Sequence, residues 1–139
     1  MTACLLDVNV LIALTWPTHV HHARARAWFE GRADSSWATC PLTELGFVRV
    51  SANPRIIADA VTPREAIAVL QDLRALPCHV FWPDTLSVEP SGPLASLSLV
   101  GHRQTTDAYL LALARANEGM LATLDAGIAE LLPDHAARR

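Results

Sequence analysis

The chain has 139 residues, of which 51% are hydrophobic, and this length fits one domain with a core of its own. Its formal net charge of −3 excludes a protein that binds polyanions by bulk charge, so a nucleic acid would have to be held by a local basic patch or through metal ions. No apolar stretch approaches the roughly 20 residues that span a bilayer, and the first apolar run has no basic leader and is interrupted by Asp7, so we expect neither a membrane segment nor a signal peptide.

The first half of the chain alternates predicted strands and helices. The apolar residues before Asp7 predict a buried strand, and residues 9–15 predict a short helix. Thr18 is expected to cap a second helix that runs to residue 31. A second strand is expected over residues 35–39, and a proline-started helix over residues 41–53. The inner stripe of the second helix is expected to hold Val20, Ala23, Ala27 and Trp28.

A capping box with proline at the first helical position opens the next helix. It is the Thr-Pro-Arg-Glu sequence of residues 62–65, and Pro77 stops the helix behind it. Residues 79–82 predict a third strand, and residues 93–100 predict a short helix in the least regular part of the chain. The side chains that the capped helix is expected to bury are Ile67, Leu70, Leu73 and, at its end, Leu76.

The last third contains the strongest helical signal. Residues 105–107, Thr-Thr-Asp, start a helix over residues 108–117 that is apolar nearly all round and is therefore expected to be buried. Residues 120–124 predict a fourth strand, Asp125 follows it, and residues 127–132 predict a last short helix. Strands that alternate with helices predict an α/β domain in which helices cover both faces of a parallel sheet.

The cysteines and histidines do not form a recognisable metal pattern. Cys4, Cys40 and Cys78 are odd in number and far apart, which fits a reducing cytosol, so we expect a cytoplasmic protein. Cys4 and Cys40 lie in apolar strand-like runs and are expected in the core. The histidines of residues 19–22 lack the carboxylate partners of a metal site, and we expect His22 to pack or to cap a helix.

Four acids fall at comparable places along the chain. Asp7 follows the first strand, Glu44 lies in the first turn after the second, Asp107 opens the buried helix, and Asp125 follows the fourth strand. Each acid alone is explained by helix capping or by the helix dipole. Three of them, however, follow strands whose carboxyl ends share one edge of the sheet, where ligands collect and where we expect the side chains to converge.

Convergent carboxylates indicate a cation site. They repel one another, so the group resists full ionisation unless a cation is present. Oxygen ligands without histidine or cysteine select Mg²⁺ or Mn²⁺, which keep several waters and bind phosphate oxygens. The pattern therefore favours phosphoryl chemistry, because the metal reverses the local sign that would otherwise exclude a nucleic-acid backbone.

Four motifs in a fixed order contain these acids: Leu5-Leu6-Asp7-Val8-Asn9, Pro41-Leu42-Thr43-Glu44, Thr105-Thr106-Asp107-Ala108-Tyr109-Leu110 and Leu121-Ala122-Thr123-Leu124-Asp125. With them the chain resembles, over almost its whole length, the PIN-domain ribonucleases, specifically the VapC toxins of bacterial toxin–antitoxin pairs. The resemblance implies a single PIN domain over residues 1–139 with a three-layer α/β fold. Its central sheet would be mostly parallel and twisted, with four to five strands flanked by helices.

The resemblance also implies roles for the acids. Asp7 and Asp107 would be the principal ligands of Mg²⁺ or Mn²⁺, and Glu44 and Asp125 would complete the catalytic acidic pocket directly or through water. The implied reaction is endonucleolytic hydrolysis of an RNA phosphodiester. The implied partners are a VapB-like antitoxin, whose tail covers the acidic groove and places a cation there, and a second copy in a homodimer. Contact with DNA would come only through the antitoxin.

Three further residues are candidates for substrate contact. Asn9 and Thr106 lie beside two of the acids and are equally well explained as helix caps. Arg103 could reach a phosphate, and a surface salt bridge explains it as well. The irregular segment of residues 89–101 is a further candidate. Three of the four tryptophans, Trp28, Trp37 and Trp82, are expected in the core. The fourth, Trp16, lies in a proline-flanked loop and is open to base stacking.

Two other classes of protein fit part of the pattern. A phosphatase or phosphotransfer domain also has a parallel sheet with an acid after the first strand, but Asn9 replaces the second acid of the haloacid pattern and the chain has no lysine to contact a phosphoryl group. A non-catalytic PIN-like binding module would use the acids to accept a partner's arginines, and the presence of all four acids disfavours it.

Overall fold

The computed structural model describes residues 2–96, 101 and 105–124, which form strands and helices in alternation. In chain order the elements are β1 (Cys4–Leu6), α1 (Val8–Thr15), α2 (His22–Glu30), β2 (Trp37–Thr39), α3 (Pro41–Ser51), α4 (Pro63–Arg74), β3 (His79–Phe81), a 3-10 helix (Pro93–Ser96), α5 (Thr105–Ala116) and β4 (Met120–Ala122). Each predicted strand is present, with bounds one to two residues shorter than the sequence pattern indicates.

The four strands form one parallel sheet in the order β3-β2-β1-β4. Leu5 in β1 lies opposite Ala38 in β2 on one side and Leu121 in β4 on the other. Because all the strands run in the same direction, their carboxyl ends lie at one edge of the sheet. The residues that follow β1 and β2 therefore lie at this carboxyl edge.

Helices cover both faces of the sheet, which confirms the predicted three-layer α/β fold. Alternate residues of β1 point to opposite faces. Cys4 and Leu6 pack in a core with residues of α1–α4, whereas Leu5 packs on the other face against Leu110 and Leu113 of α5.

Two of the three cysteines belong to these cores, as predicted. Cys4 and Cys40 are buried, and burial raises the pKa of both thiols, so they are unreactive packing residues. Cys78 is exposed. Within the described part of the chain, none of the helices is long and apolar enough to cross a membrane.

The capping box at the start of α4 is present. The Thr62 hydroxyl accepts a hydrogen bond from the Glu65 backbone N–H at 3.1 Å, and the Glu65 carboxylate accepts one from the Thr62 N–H at 3.3 Å. The predicted buried face of this helix is partly wrong, because Ile67 is 56% exposed and Leu76 lies beyond the helix end and is also exposed. Ala66 and Leu70, one turn apart, form the buried stripe, and Ile67 lies about 100° around the helix from Ala66.

The predicted start of α2 is wrong by three residues, because the cap residue is His21 and not Thr18. The backbone N–H groups of His19 and His22 bond to the carbonyls of Trp16 and His19, so two successive turns occupy residues 16–22 before the helix begins. The inward face is consequently different from the predicted one, and its members are His22, Ala25 and Phe29. The four residues expected there are all exposed: Val20, Ala23, Ala27 and Trp28.

The other tryptophans are placed by their contacts. Trp37 and Trp82 are buried, as predicted. Trp16 is partly buried: its ring stacks on Phe47 at 6.3 Å between centroids, and its indole N–H donates to the Ser51 hydroxyl. The 93–100 helix is present as a 3-10 helix over Pro93–Ser96, and the rest of that range, like the helix predicted over residues 127–132, lies outside the described residues.

Candidate active site

Asp7 lies at the carboxyl edge of the sheet between β1 and α1. Its side chain is 7% exposed, and it caps α1, because Oδ1 accepts a hydrogen bond from the Val8 N–H at 2.7 Å. Oδ2 accepts a hydrogen bond from the Thr123 hydroxyl at 2.8 Å. Contacts from two different elements therefore orient both carboxylate oxygens.

Asn9 connects α1 to the segment that leaves β4. Its Oδ1 accepts from the Leu124 backbone N–H at 3.1 Å, and its Nδ2 donates to the Thr123 hydroxyl at 3.3 Å. A backbone N–H can only donate, so it sets which end of the Asn9 amide is the oxygen. Because the Asn9 amide donates to the Thr123 oxygen, the hydroxyl proton of Thr123 is left to bond to Asp7. The next residue after Leu124 is the predicted fourth acid.

Glu44 lies in the first turn of α3, with its side chain 13% exposed. Its Oε2 accepts a hydrogen bond of 2.7 Å from the hydroxyl of Thr39, a fully buried residue at the carboxyl end of β2. Its Oε1 lies 3.5 Å from the guanidinium of Arg74 at the end of α4. The Arg74 guanidinium also lies over the Phe81 ring at 5.5 Å, which directs its cation toward the end of β2 and β3.

A close approach of α1 and α3 brings the elements that carry Asp7 and Glu44 together. Gly46, two residues after Glu44, faces Val8, the residue after Asp7. A Cβ at position 46 would lie 2.5 Å from the Val8 Cγ2 atom, a distance that no side chain tolerates. The absence of a side chain at Gly46 therefore sets the spacing of the two helices at this edge.

Asp107 lies in the first turn of α5 and is half-buried, next to the exposed Thr106. The other end of α5 lies at the amino edge of the sheet: a Cβ at Gly119 would be 2.6 Å from the Ala3 carbonyl oxygen, and Met120 N–H donates to that same oxygen. A helix of 12 residues is about 18 Å long, so its first turn extends toward the opposite, carboxyl edge. Asp107 thus lies toward the edge that holds Asp7 and Glu44.

The oxygen chemistry of these side chains fits a hard divalent cation. Carboxylates and hydroxyls are the donors that Mg²⁺ and Mn²⁺ prefer, and a carboxylate that accepts one hydrogen bond at an oxygen retains lone pairs for a metal. Among residues 2–96, 101 and 105–124, no three acids, histidines or cysteines are arranged as a metal-binding group. Asp125 and Arg103 lie outside the described residues.

The histidines near residue 20 make contacts with the backbone. His22 Nδ1 lies 2.7 Å from the Ala13 carbonyl oxygen, so this residue packs against α1, as predicted. His19 Nδ1 accepts a hydrogen bond from the His21 N–H at 3.0 Å. The contacts of His19 and His22 are therefore those of a turn and of packing against α1.

His79 is a residue of this edge that the sequence pattern did not single out. Its Nε2 lies 2.8 Å from the Thr39 hydroxyl oxygen, and its ring packs edge-on against Trp37 at 4.6 Å between centroids. Burial lowers the pKa of His79 below its ordinary value of 6.5, the Arg74 cation lowers it further, and Glu44 acts in the opposite direction. The imidazole is therefore neutral at neutral pH.

Thr39, Thr123 and Arg74 were missed for the same reason as His79. Each contacts an acid that is remote in the sequence, and no local pattern marks such a contact. A weak signal was present for the two threonines, since each directly follows or ends an apolar strand-like run that leads to an acid.

Comparison with known proteins identifies the family. Residues 4–131 match the PIN domain family. The chain is 52% identical over 125 residues to Ribonuclease VapC38 of Mycobacterium tuberculosis, an alignment that covers 89% of this chain and 86% of that protein. It is 48% identical over 132 residues to Ribonuclease VapC39 of the same organism, with 94% and 93% covered. It is 44% identical over 125 residues to Ribonuclease VapC44, with 90% and 87% covered. The chain therefore belongs to the PIN-domain family, with VapC ribonucleases among its relatives.

Proposed function

We propose that this protein is a metal-dependent endoribonuclease and the toxin of a type II toxin–antitoxin pair. The proposal is supported by the family, by the ribonucleases among its relatives and by one structural observation in particular. Asp7 and Glu44 are 37 positions apart in a chain of 139 residues, yet both follow neighbouring parallel strands. Asp7 caps α1 and Glu44 lies in the first turn of α3, and these two helices touch through Val8 and Gly46.

Asp7 and Asp107 would be the principal ligands of Mg²⁺ or Mn²⁺, and Glu44 and Asp125 would complete the acidic pocket. A divalent ion bound there supplies Lewis acidity and offsets the charge of the phosphate during hydrolysis. The protein's own contribution is to orient the carboxylates. Hydroxyl and backbone donors hold both oxygens of Asp7 and one oxygen of Glu44 before any ligand binds.

Residues around the acids would position RNA. Thr106 is exposed at the start of α5, beside Asp107, and its hydroxyl is available to a phosphate or a water. Arg103 is proposed to contact a substrate phosphate. Asn9 acts on the site through Thr123, and its contacts support a role in holding Asp7 as well as any role toward the substrate.

The proposed partners follow from the same family membership. A VapB-like antitoxin would neutralise the enzyme by placing a cation, such as an arginine, among the carboxylates, and the toxin would form a homodimer in the cytoplasm. Coexpression of the protein encoded by the neighbouring reading frame should restore growth to cells that express this chain. The two proteins should also copurify. A toxin that no neighbouring product neutralises would contradict the toxin–antitoxin role and leave the nuclease.

The activity is tested by incubating the purified protein with RNA in Mg²⁺, in Mn²⁺ and in chelator, with Asp7→Asn as the matched control. We expect cleavage with either metal, none in chelator and none with the variant, because an amide keeps the helix cap but is a poor ligand for these ions. Equal cleavage in metal and chelator would contradict metal-dependent hydrolysis. Absence of cleavage together with binding of an arginine-rich peptide would instead indicate a non-catalytic binding module.

A further inference from the structure

Thr39 has one hydroxyl proton and two polar neighbours. Its oxygen lies 2.7 Å from Glu44 Oε2 and 2.8 Å from His79 Nε2. The residue is fully buried, so water does not take either place. A hydroxyl donates one hydrogen bond and accepts up to two, so only one of these neighbours can receive the proton.

The chemistry of Glu44 and His79 decides which of them receives the Thr39 proton. An ionised Glu44 carboxylate accepts hydrogen bonds and cannot donate one. If Thr39 donates to Glu44, His79 must donate to Thr39, which requires the hydrogen of the neutral ring on Nε2. If the ring carried its hydrogen on Nδ1, the Thr39 proton would go to His79, and its oxygen lone pairs would face the carboxylate at 2.7 Å.

The surroundings favour the first direction. The ring of His79 is held by Trp37 across neighbouring strands, with His79 and Trp37 in direct register between β3 and β2. Side chains two residues apart in a strand share a face, so Thr39 lies on the same face as Trp37. The Arg74 guanidinium lies 3.5 Å from Glu44 Oε1, on the other oxygen of the carboxylate, and leaves Oε2 as the acceptor that faces Thr39.

We propose that Thr39 is a positioning residue for Glu44, and that His79 holds the Thr39 hydroxyl in the donating orientation. This inference rests on the proposed function, in which Glu44 belongs to the catalytic acids. Thr39 would not touch the substrate. It would fix Oε2 of Glu44 while Arg74 lies beside Oε1, so that the carboxylate keeps one orientation at the acidic pocket, in the way that outer-sphere partners orient metal-binding carboxylates.

The first measurement concerns the direction of the hydrogen bond in the metal-free protein. Ring ¹⁵N chemical shifts of His79, recorded where the imidazole is neutral, report which nitrogen carries the hydrogen. We expect the Nε2–H form in the wild type. The Nδ1–H form would overturn the proposal, whatever the enzymatic activity.

The second measurement is the rate of RNA cleavage over a titration of Mg²⁺ from limiting to saturating concentration. Loss of an outer-sphere partner costs about 10- to 100-fold in metal affinity or activity. We expect Thr39→Val to lose activity in this range and Thr39→Ser, which retains the hydroxyl, to stay close to the wild type. Thr39→Val at the wild-type rate, or equal losses with valine and serine, would overturn the proposal. If the valine variant does not fold, Thr39→Ala removes the same hydroxyl and takes its place in the comparison.

A matched control separates positioning from the general loss of a buried hydroxyl. Ser51 is fully buried at the far end of the same helix as Glu44, and its hydroxyl accepts from the Trp16 indole. Ser51→Ala should cleave RNA at the wild-type rate. A loss as large as that of Thr39→Val would show that any buried defect near α3 impairs the enzyme and would overturn the specific role of Thr39.

The double variant distinguishes this inference from the proposed function. If Thr39 acts only through Glu44, then Thr39→Val in a Glu44→Gln background causes no further loss. An additional loss of 10-fold or more, comparable to that of the single variant, would overturn the proposal. If Glu44→Gln itself cleaves at the wild-type rate, the proposed function of Glu44 fails, whereas the ring spectrum of His79 still tests the hydrogen bond.

Discussion

Asp7 and Glu44 are held by two arrangements of the same kind on opposite sides of the sheet centre. In each, a threonine at the carboxyl end of a strand donates its hydroxyl proton to a carboxylate oxygen, Thr123 to Asp7 and Thr39 to Glu44. In each, a side-chain nitrogen lies behind the threonine, Asn9 at 3.3 Å in one and His79 at 2.8 Å in the other.

The two arrangements differ in what sets the direction of the hydrogen bonds. The Asn9 amide does not titrate, and the Leu124 backbone N–H fixes its orientation. His79 can change both its tautomer and its charge. Glu44 also has the Arg74 guanidinium 3.5 Å from its Oε1. The same threonine–carboxylate hydrogen bond is therefore fixed by the backbone at Asp7 and remains sensitive to pH at Glu44.

The largest expected effect comes from removing the charge of an acid itself. Asp7→Asn, and likewise Asp107→Asn, should lower RNA cleavage by more than the roughly 100-fold that loss of an outer-sphere partner causes, and should abolish toxicity. Asparagine is as good a helix cap as aspartate, and removal of one carboxylate eases repulsion among the acids, so the melting temperature of the metal-free protein should be retained or raised. Wild-type activity in either variant would contradict the assignment of the site.

The next effect tests the fixed arrangement. Asn9→Asp retains the acceptor for the Leu124 N–H but removes the donor to Thr123, so two carboxylates compete for one hydroxyl proton. We expect a loss of about 10- to 100-fold in cleavage, similar to that expected for Thr39→Val. Asn9→Gln is the companion variant, because it retains the amide group but places it one methylene farther from the backbone. An Asn9→Asp enzyme as active as the wild type would show that the two arrangements are not equivalent.

A third variant changes the spacing between the two arrangements. Gly46→Ala places a Cβ against the Val8 side chain, which is branched and stiff, so α1 and α3 must separate. Overpacking of this kind destabilises a fold by about 1–3 kcal/mol, measurable from urea unfolding. Gly31→Ala is the control, since a Cβ there meets only ordinary contacts at 3.4 Å and 3.5 Å. Equal stability of both variants would contradict the close approach.

The smallest effect is a pH dependence confined to the His79 side. The pKa of His79 is below its ordinary value of 6.5, chiefly through burial and then through Arg74, so the unfolded chain binds more protons than the folded chain as the pH falls below that value. Stability should therefore decline in this range. His19, whose pKa is also lowered by burial and by His21 and His22, contributes in the same direction.

The comparison of wild type with His79→Gln isolates the contribution of His79, because glutamine can donate to Thr39 without titrating. Urea midpoints measured at about pH 8 and about pH 5.5 should differ less in the variant than in the wild type. The matching experiment on the other arrangement, Asn9→Gln, should leave the wild-type pH dependence unchanged. An identical pH dependence in wild type and His79→Gln would show that His79 is not buried in the folded state as described.

Parts of the fold were predictable because their signals are local. Apolar runs and turn residues identified the four strands of the described residues and the capping box of α4, and Cys4 and Cys40 were correctly assigned to the core. The inner stripe of α2 was wrong, because two turns at residues 16–22 delay the start of the helix and rotate its face. Periodicity identifies a helix, but a shift of its first residue changes which side chains are buried.

The sequence by itself determined the order of the described strands and helices, the family and the positions of Asp7, Glu44 and Asp107 at the starts of helices, because these features depend on short-range patterns and on motifs. The tertiary structure alone decided what holds Asp7 and Glu44. Asn9 and Thr123 are 114 positions apart, and Thr39 and His79 are 40 apart. Such pairs meet only when parallel strands align side by side, so no local pattern can encode them. The contacts that orient the carboxylates are therefore a property of the folded sheet.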